Sequence, residues 1–261
     1  KYLDICRTLA LPFGSLHMPA DAEADHKLTY SHRGLPNKYG NTGIFMCFET
    51  VSGHRTLTCR WKDLEARIEL ERQNPDSLVV NLPFDEYDQA FYYNHKINCM
   101  TADGFVRTRS HEWIFDKKDS FGILDWGRGV WPFHNEWYWS NASGWLNGEM
   151  FGFNLGCGFG NTDTASENML FYKGKSHKLG KVDFVLGKSY MDPWHLLDRE
   201  GRLDLWLTPI YDRETKIRLL WVDNHCHQMF GSFTGTAVLD DGTVLFVKDV
   251  VSFAEHAVNN W

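Results

Sequence analysis

The chain has 261 residues, 43% of them hydrophobic and 23% charged, with a formal net charge of -7. That is a globular balance, of a length for one large or two small domains. The acidic balance, with no Lys/Arg cluster interleaved with aromatics, excludes a general phosphate-backbone binder, so no nucleic-acid partner is expected. No apolar run is long enough to span a bilayer and no signal-peptide pattern opens the chain, so no membrane span is expected and a cytoplasmic location is the default. Six widely scattered cysteines contain no CxxC pair, which argues against a structural zinc site and for buried free thiols.

Taken in order, Leu11–Asn41 reads as loop. The stretch LEARIELER (Leu64–Arg72) alternates Leu64, Ala66, Ile68 and Leu70 with charged residues, which predicts a strand with one wet face. Asp103-Gly104, Asn147-Gly148, Lys173-Gly174 and Asp241-Gly242 punctuate runs rich in aromatic and β-branched residues, and each predicts a tight hairpin turn. Asn161–Glu167 reads as a second loop. No long amphipathic helix is visible. The predicted class is all-β and antiparallel, a meander closing into a barrel or a sandwich.

Aromatics make up 15% of the chain, and Phe121–Gly144 concentrates Trp126, Trp131, Trp137 and Trp139 around Asp125 and Arg128. Counting outward from Asn147-Gly148 opposes Trp145 to Met150, Asn141 to Asn154, Trp139 to Gly156 and Trp137 to Gly158. Directly opposed residues share a face. One face therefore carries the tryptophans and both asparagines over a row of glycines. The other carries Tyr138, Ser140 and Ala142 against Leu155, Phe153 and Phe151. Glycines in a strand interior signal a close approach by something bulky. Either the tryptophans cover the glycines, or the same face floors a ligand pocket with Asn141 and Asn154 as its polar groups. Both faces look apolar, which predicts a second layer outside this hairpin.

Asp125 follows an apolar run, where desolvation would raise its pKa toward proton donation. The structural alternative is a turn-capping Asp or a bridge to Arg128. Arg128 either orients a ligand or stacks on Trp126 or Trp131. Glu167 opens a strand after a loop, a place where functional side chains collect, though a solvated Glu is commoner there. Asn94, Lys96 and Asn98 alternate along one strand face, either as an inward polar row or as a wet outer surface. His225 and His227 at i, i+2 could supply two metal ligands, but hydrogen bonding is the commoner role and no third ligand is visible; no metal is expected. No GxSxG, P-loop or Rossmann fingerprint is present, and no cofactor is expected.

The segments AFYYNHKINCM (Ala90–Met100), FGILDWGRGVWPF (Phe121–Phe133), FGFNLGCGFG (Phe151–Gly160), ENMLFYKGKSHKL (Glu167–Leu179) and FAEHAVNNW (Phe253–Trp261) resemble the domain-of-unknown-function family 2804. The resemblance runs from LPFGSLHMP (Leu11–Pro19) to the last residue, with Asn260 where Arg is expected. Family members usually carry some tens of residues before the PFG motif, so the first barrel is expected to lack its first strands. More distantly, Asp125-Trp126-Gly127 is similar to a segment of tandem lipocalin-like proteins, the carotenoid hydratase and AttH-type group. That resemblance implies two lipocalin-like, calycin-type barrels or half-barrels packed together, divided here as 1–118 and 119–261. It implies an apolar pocket and no particular reaction.

The expected function is a small-molecule pocket protein, an enzyme using acid–base chemistry of the hydratase, isomerase or lyase type on an apolar or ring-containing substrate. Asp125 and Glu167 are its candidate catalytic pair. Trp126, Arg128, Trp131, Trp137, Trp139, Asn141, Asn154, Asn94, Lys96 and Asn98 are its candidate ligand contacts. A carbohydrate-active enzyme with tryptophan platforms and a non-catalytic carrier are the alternatives. The expected partner is a small-molecule ligand or substrate, with the oligomeric state open.

Overall fold

A computed structural model describes residues 22–32, 36–37, 40–41 and 43–260. Its strands are β1 (His26–His32), β2 (Pro36–Asn37), β3 (Gly40–Asn41), β4 (Ile44–Val51), β5 (His54–Trp61), β6 (Leu64–Arg72), β7 (Leu78–Pro83), β8 (Phe91–Arg107), β9 (Glu112–Phe115) and β10 (Phe121–Val130). They continue as β11 (His134–Leu146), β12 (Glu149–Cys157), β13 (Met169–Tyr172), β14 (Lys175–Lys178), β15 (Val182–Val185), β16 (Trp194–Asp198), β17 (Leu203–Leu219), β18 (Val222–Val238) and β19 (Val244–Asn260). No helix occurs among the described residues. The protein is all-β, and its strand pairings are antiparallel.

Two large sheets carry the chain. One has the order β1-β4-β5-β6-β8-β10, with β7 and β9 also paired to β8; the other runs β14-β13-β12-β11-β19-β18-β17-β16-β15. The chain divides into two compact units, one within residues 1–72 and 100–122, the other comprising 73–99 and 123–261. The first unit's core is Met46, Cys59, Ala66 and Val106, ringed by partly buried residues such as Phe48, Trp61 and Ile68. Ala66 comes from the inward side of β6, whose bounds match the alternating stretch Leu64–Arg72. The second unit's core is much larger. It holds Phe151, Phe153 and Leu155 of β12 with Leu170, Trp194, Leu205, Met229 and Phe233, all fully buried.

Three of the four predicted turns form. Asn147 and Lys173 take left-handed φ values of 54° and 52° ahead of Gly148 and Gly174, and Gly242 has φ 83°. Asp103-Gly104 does not turn; it lies inside β8, where Gly104 pairs with Ile68. Gly104 has φ 133°, and a Cβ there would fall on the carbonyl of Arg67. The glycine serves a close backbone approach within a sheet rather than a hairpin. Leu11–Asn41 lies partly outside the described residues, and within it His26–His32 forms β1 against β4 rather than loop.

Candidate functional site

The site is built within the second unit, on the face of its sheet opposite the Phe153 core. β11 and β12 pair in the register counted from the turn: Trp145 with Met150, Asn141 with Asn154, Trp139 with Gly156. β19 continues the same face, placing Glu255 opposite Trp139 and Phe253 opposite Asn141. Onto it the β8 segment of the same unit brings Asn94, Lys96 and Asn98, which are 1%, 3% and 0% exposed. Alternation along a strand puts these three on one side. They form an inward polar row, not a wet surface.

Lys96 is the hub. Its Nζ lies 3.1 Å from Asp125 Oδ2 and 3.1 Å from Glu167 Oε2, and 4.4 Å from the centroid of the Trp139 ring. Burial alone would push its pKa down, but the charges of Asp125 and Glu167 outweigh that and carry it above the ordinary lysine value. Burial likewise raises Tyr92, which is hydrogen-bonded to Lys96, keeping the phenol neutral. Asp125 also accepts from Asn94 Nδ2 at 2.6 Å. The Asp125 side chain is 37% exposed, whereas Glu167 is 11% exposed. Asp125 is thus the most exposed member of the triplet.

Amides lock the floor. Asn154 accepts from Trp139 Nε1 at 2.8 Å and from Asn141 Nδ2 at 3.1 Å. Its own amide donates to the Glu167 carbonyl at 2.7 Å and to Oε2 at 3.3 Å. Asn141 also donates to Asn98, and Asn98 to the Phe153 carbonyl. Such a connected network fixes rotamers because each buried polar group has a defined partner. Asn94 Oδ1 is an exception, buried with no hydrogen-bond partner among the described residues. An unsatisfied buried polar atom costs about 1–3 kcal/mol, which marks a position for a water or a ligand hydroxyl beside Asp125.

At Gly156, Gly152 and Gly127 the space a side chain would take is filled by Glu167, Cys99 and Asn94 rather than by the tryptophans. A Cβ at Gly156 would fall on the Glu167 carboxylate, and one at Gly152 would come 2.6 Å from Cys99 Sγ. A Cβ at Gly127 would lie 2.9 Å from Asn94 Nδ2.

The remaining candidates are placed beside this cluster. Trp137 donates to Glu255 Oε1 at 2.9 Å, and Trp137, Trp131 and Tyr92 all set their rings against Phe159. Trp126 and Arg128 alternate with Asp125 along β10 and so point to the other side of that strand. There Arg128 lies over the Tyr93 and Trp126 rings, 5.3 and 5.8 Å from their centroids. Asp125 therefore pairs with Lys96 rather than with Arg128. Sequence reasoning missed Tyr92, Phe159 and the buried carboxylate Glu255, which also accepts from Gln228 at 2.7 Å. Glu255 pairs across the sheet with Trp139, a relationship visible only once β11 and β19 are neighbours. A depression of about 560 Å³ lined by Tyr172, His177, Leu239 and Asp240 lies elsewhere in the unit and shares no residue with the cluster.

The segments that carry the site also carry the sequence's affiliation. The domain-of-unknown-function model DUF2804 matches residues 2–261. The chain belongs to the DUF2804 family. No curated protein matches this DUF2804 sequence significantly. Among solved structures it is similar to an AttH-type protein of Nitrosomonas europaea, with 13% identity, 81% of this chain and 67% of that one covered, and a TM-score of 0.49. Kievitone hydratase of Nectria haematococca is 8% identical over 97% of this chain and 94% of its own, with a TM-score of 0.47. CghA with Sch210972 is 9% identical over 90% and 73%, with a TM-score of 0.46. At such identities, the chemistry of this DUF2804 protein has to be read from its own residues.

Proposed function

We propose that this DUF2804 protein is an enzyme that moves a proton on a small, largely apolar or ring-containing molecule without a cofactor, in a hydration, isomerisation or lyase-type step. The observation that carries this reading is the triplet of Lys96 between Asp125 and Glu167, with Asp125 its most exposed member. Asp125 exchanges the proton with the substrate. Lys96, held cationic in a poorly hydrated setting, stabilises negative charge that develops there, where such a charge counts for more than in water. Glu167 and Asn154 hold Lys96 in place, and the spare Asn94 oxygen receives a substrate hydroxyl or water. Trp131, Trp137, Tyr92 and Phe159 supply an aromatic wall; Trp126 and Arg128 stand behind it.

The glycosidase alternative fits less well. Both carboxylates contact one ammonium at 3.1 Å, so their contacting oxygens are no farther apart than about 6 Å, short of the ~6.5–9.5 Å of inverting enzymes. That bound still admits the roughly 5–5.5 Å of retaining enzymes, so the separation sets aside inversion alone. The reading places the protein in the cytoplasm, where the thiols of Cys47, Cys99 and Cys157 stay reduced. No helix among the described residues is long and apolar enough to cross a membrane.

The test is exchange chemistry on an unfractionated small-molecule extract in heavy water. The native protein is expected to introduce deuterium at carbon in one compound, and Asp125→Asn to bind that compound and leave it unlabelled. Equal binding by both proteins with no exchange or conversion by either identifies a carrier and rejects the enzyme.

A further inference from the structure

The core side of the second unit's sheet carries, on β17, β18 and β19, a polar group outside the Lys96 cluster. Register places Glu214 opposite His227 and His227 opposite His256. His225 lies two residues along β18, on the same side. Gln228, the next residue after His227, points the other way, to Glu255. The two arrangements therefore occupy opposite faces of one sheet.

His225 Nε2 is 2.9 Å from Glu214 Oε1, and the His225 and His227 rings are 4.6 Å apart. One ligand atom from each of Glu214, His225 and His227 lies within 4.8 Å of those of the other two. We propose that Glu214, His225 and His227 bind a divalent transition-metal ion of the zinc(II) class. Two imidazoles and one carboxylate form a mixed N/O donor set that suits zinc and its d-block neighbours, whereas magnesium and calcium require oxygen throughout.

The surroundings organise the donors. Asp212 Oδ2 lies 2.9 Å from His227 Nδ1. With the Nδ1 proton committed to that carboxylate, the Nε2 lone pair is left for a metal, the usual carboxylate–histidine–metal relay. Tyr190 stacks on the His227 ring at 3.8 Å and 13°, which sets the ring plane. His256 is not a ligand: its Nδ1 meets Tyr190 Oη at 2.7 Å and its Nε2 meets Glu136 Oε1 at 2.7 Å.

With metal–ligand bonds of ~2.0–2.2 Å, tetrahedral donors stand about 3.4 Å apart. The Glu214–His225 contact is already inside that spacing, and the remaining edges, at most 4.8 Å, close by movement of the Glu214 and His225 side chains onto the fixed His227 ring. His225 transfers its Nε2 proton to Nδ1 through solvent as the ion enters. Glu214 is exposed while both histidines are half-buried. Three protein donors leave the outward position to water.

The experiment uses the untagged full chain, stripped with chelator and then dialysed against zinc alone, with bound metal counted by mass spectrometry. A cobalt(II) titration reports the ligand field through its visible bands. One equivalent of zinc is expected, together with visible bands of four- or five-coordinate cobalt. His225→Gln and His227→Gln should each lose the bound ion. Glu214→Gln, at the surface and neutral to folding, should weaken binding at least tenfold. Asp212→Asn should weaken it by about 10–100-fold through the His227 tautomer, with an unchanged thermal melt. Magnesium and calcium in excess should not displace the zinc. Retention of no zinc by the native chain, or equal retention by Glu214→Gln and the two histidine variants, overturns the proposal.

Discussion

The carboxylate of Glu167 occupies the space that a side chain at Gly156 would fill. The glycine thus sets the reach of Glu167 toward Lys96, and both residues come from segments that the sequence separates by a loop. Gly156→Ala is expected to push Glu167 off Lys96 and to overpack a sealed interior, at about 1–3 kcal/mol. Urea unfolding should show a lower midpoint with an unchanged slope.

Removing the cation is expected to cost more. Lys96→Met leaves Asp125 and Glu167 facing each other without their shared partner. Breaking a buried ion pair from one side costs ~3–5 kcal/mol, and the partial exposure of Asp125 places the loss at the low end, about 3 kcal/mol. Changing Asp125→Asn and Glu167→Gln in the same chain should recover part of it, because the unpaired charges go with the lysine. Chemical denaturation of the three proteins checks both statements.

The pH dependence follows from the sign of the Lys96 shift. Its folded pKa lies above the ordinary lysine value of 10.5, so the folded state holds the proton more tightly than the unfolded chain. The stability this contributes is fully present below about pH 10.5 and is lost as pH rises toward the folded value. The stability difference between native protein and Lys96→Met should be flat from neutral pH to about 10 and shrink above it. A difference that grows above pH 10.5 contradicts the assignment.

Thiol chemistry reports on the burial of β8 and β12, which carry Cys99 and Cys157. Burial pushes the Cys99 thiol up to about 12 and Cys157 up to about 11, and Cys99 has no exposed surface. The thiolate is the reactive form, so neither should be alkylated by iodoacetamide at pH 8 in the folded state. Both should react once urea unfolds the chain. Peptide mapping distinguishes the two sites.

Much of this was legible in the sequence, for identifiable reasons. The β11–β12 register follows from one Asn-Gly turn because side-chain alternation has a period of two, so Trp139, Asn141 and Asn154 could be placed on one face by counting. The alternation of Asn94, Lys96 and Asn98 put them together but could not say whether the row faced inward. That depends on which surface the β8 segment covers. The strand-mate Glu255 and the Lys96–Asp125 pairing are long-range, set by sheet order, and local pattern carries no trace of them. Asp103-Gly104 misled because a glycine with positive φ serves a close strand approach as readily as a turn. The third donor beside His225 and His227 sits on another strand, paired by the β17–β18 register, and was invisible for the same reason.

The most direct test of the central claim, proton transfer at Asp125, is native mass spectrometry of the protein and of Asp125→Asn, each purified from its own host cells, with the bound small molecules extracted. The account predicts that the variant retains a substrate that the native protein has converted, so the two ligands differ by one water, by a lost fragment, or by isomeric structure on chromatography. The same unaltered molecule in both, or none in either, contradicts it.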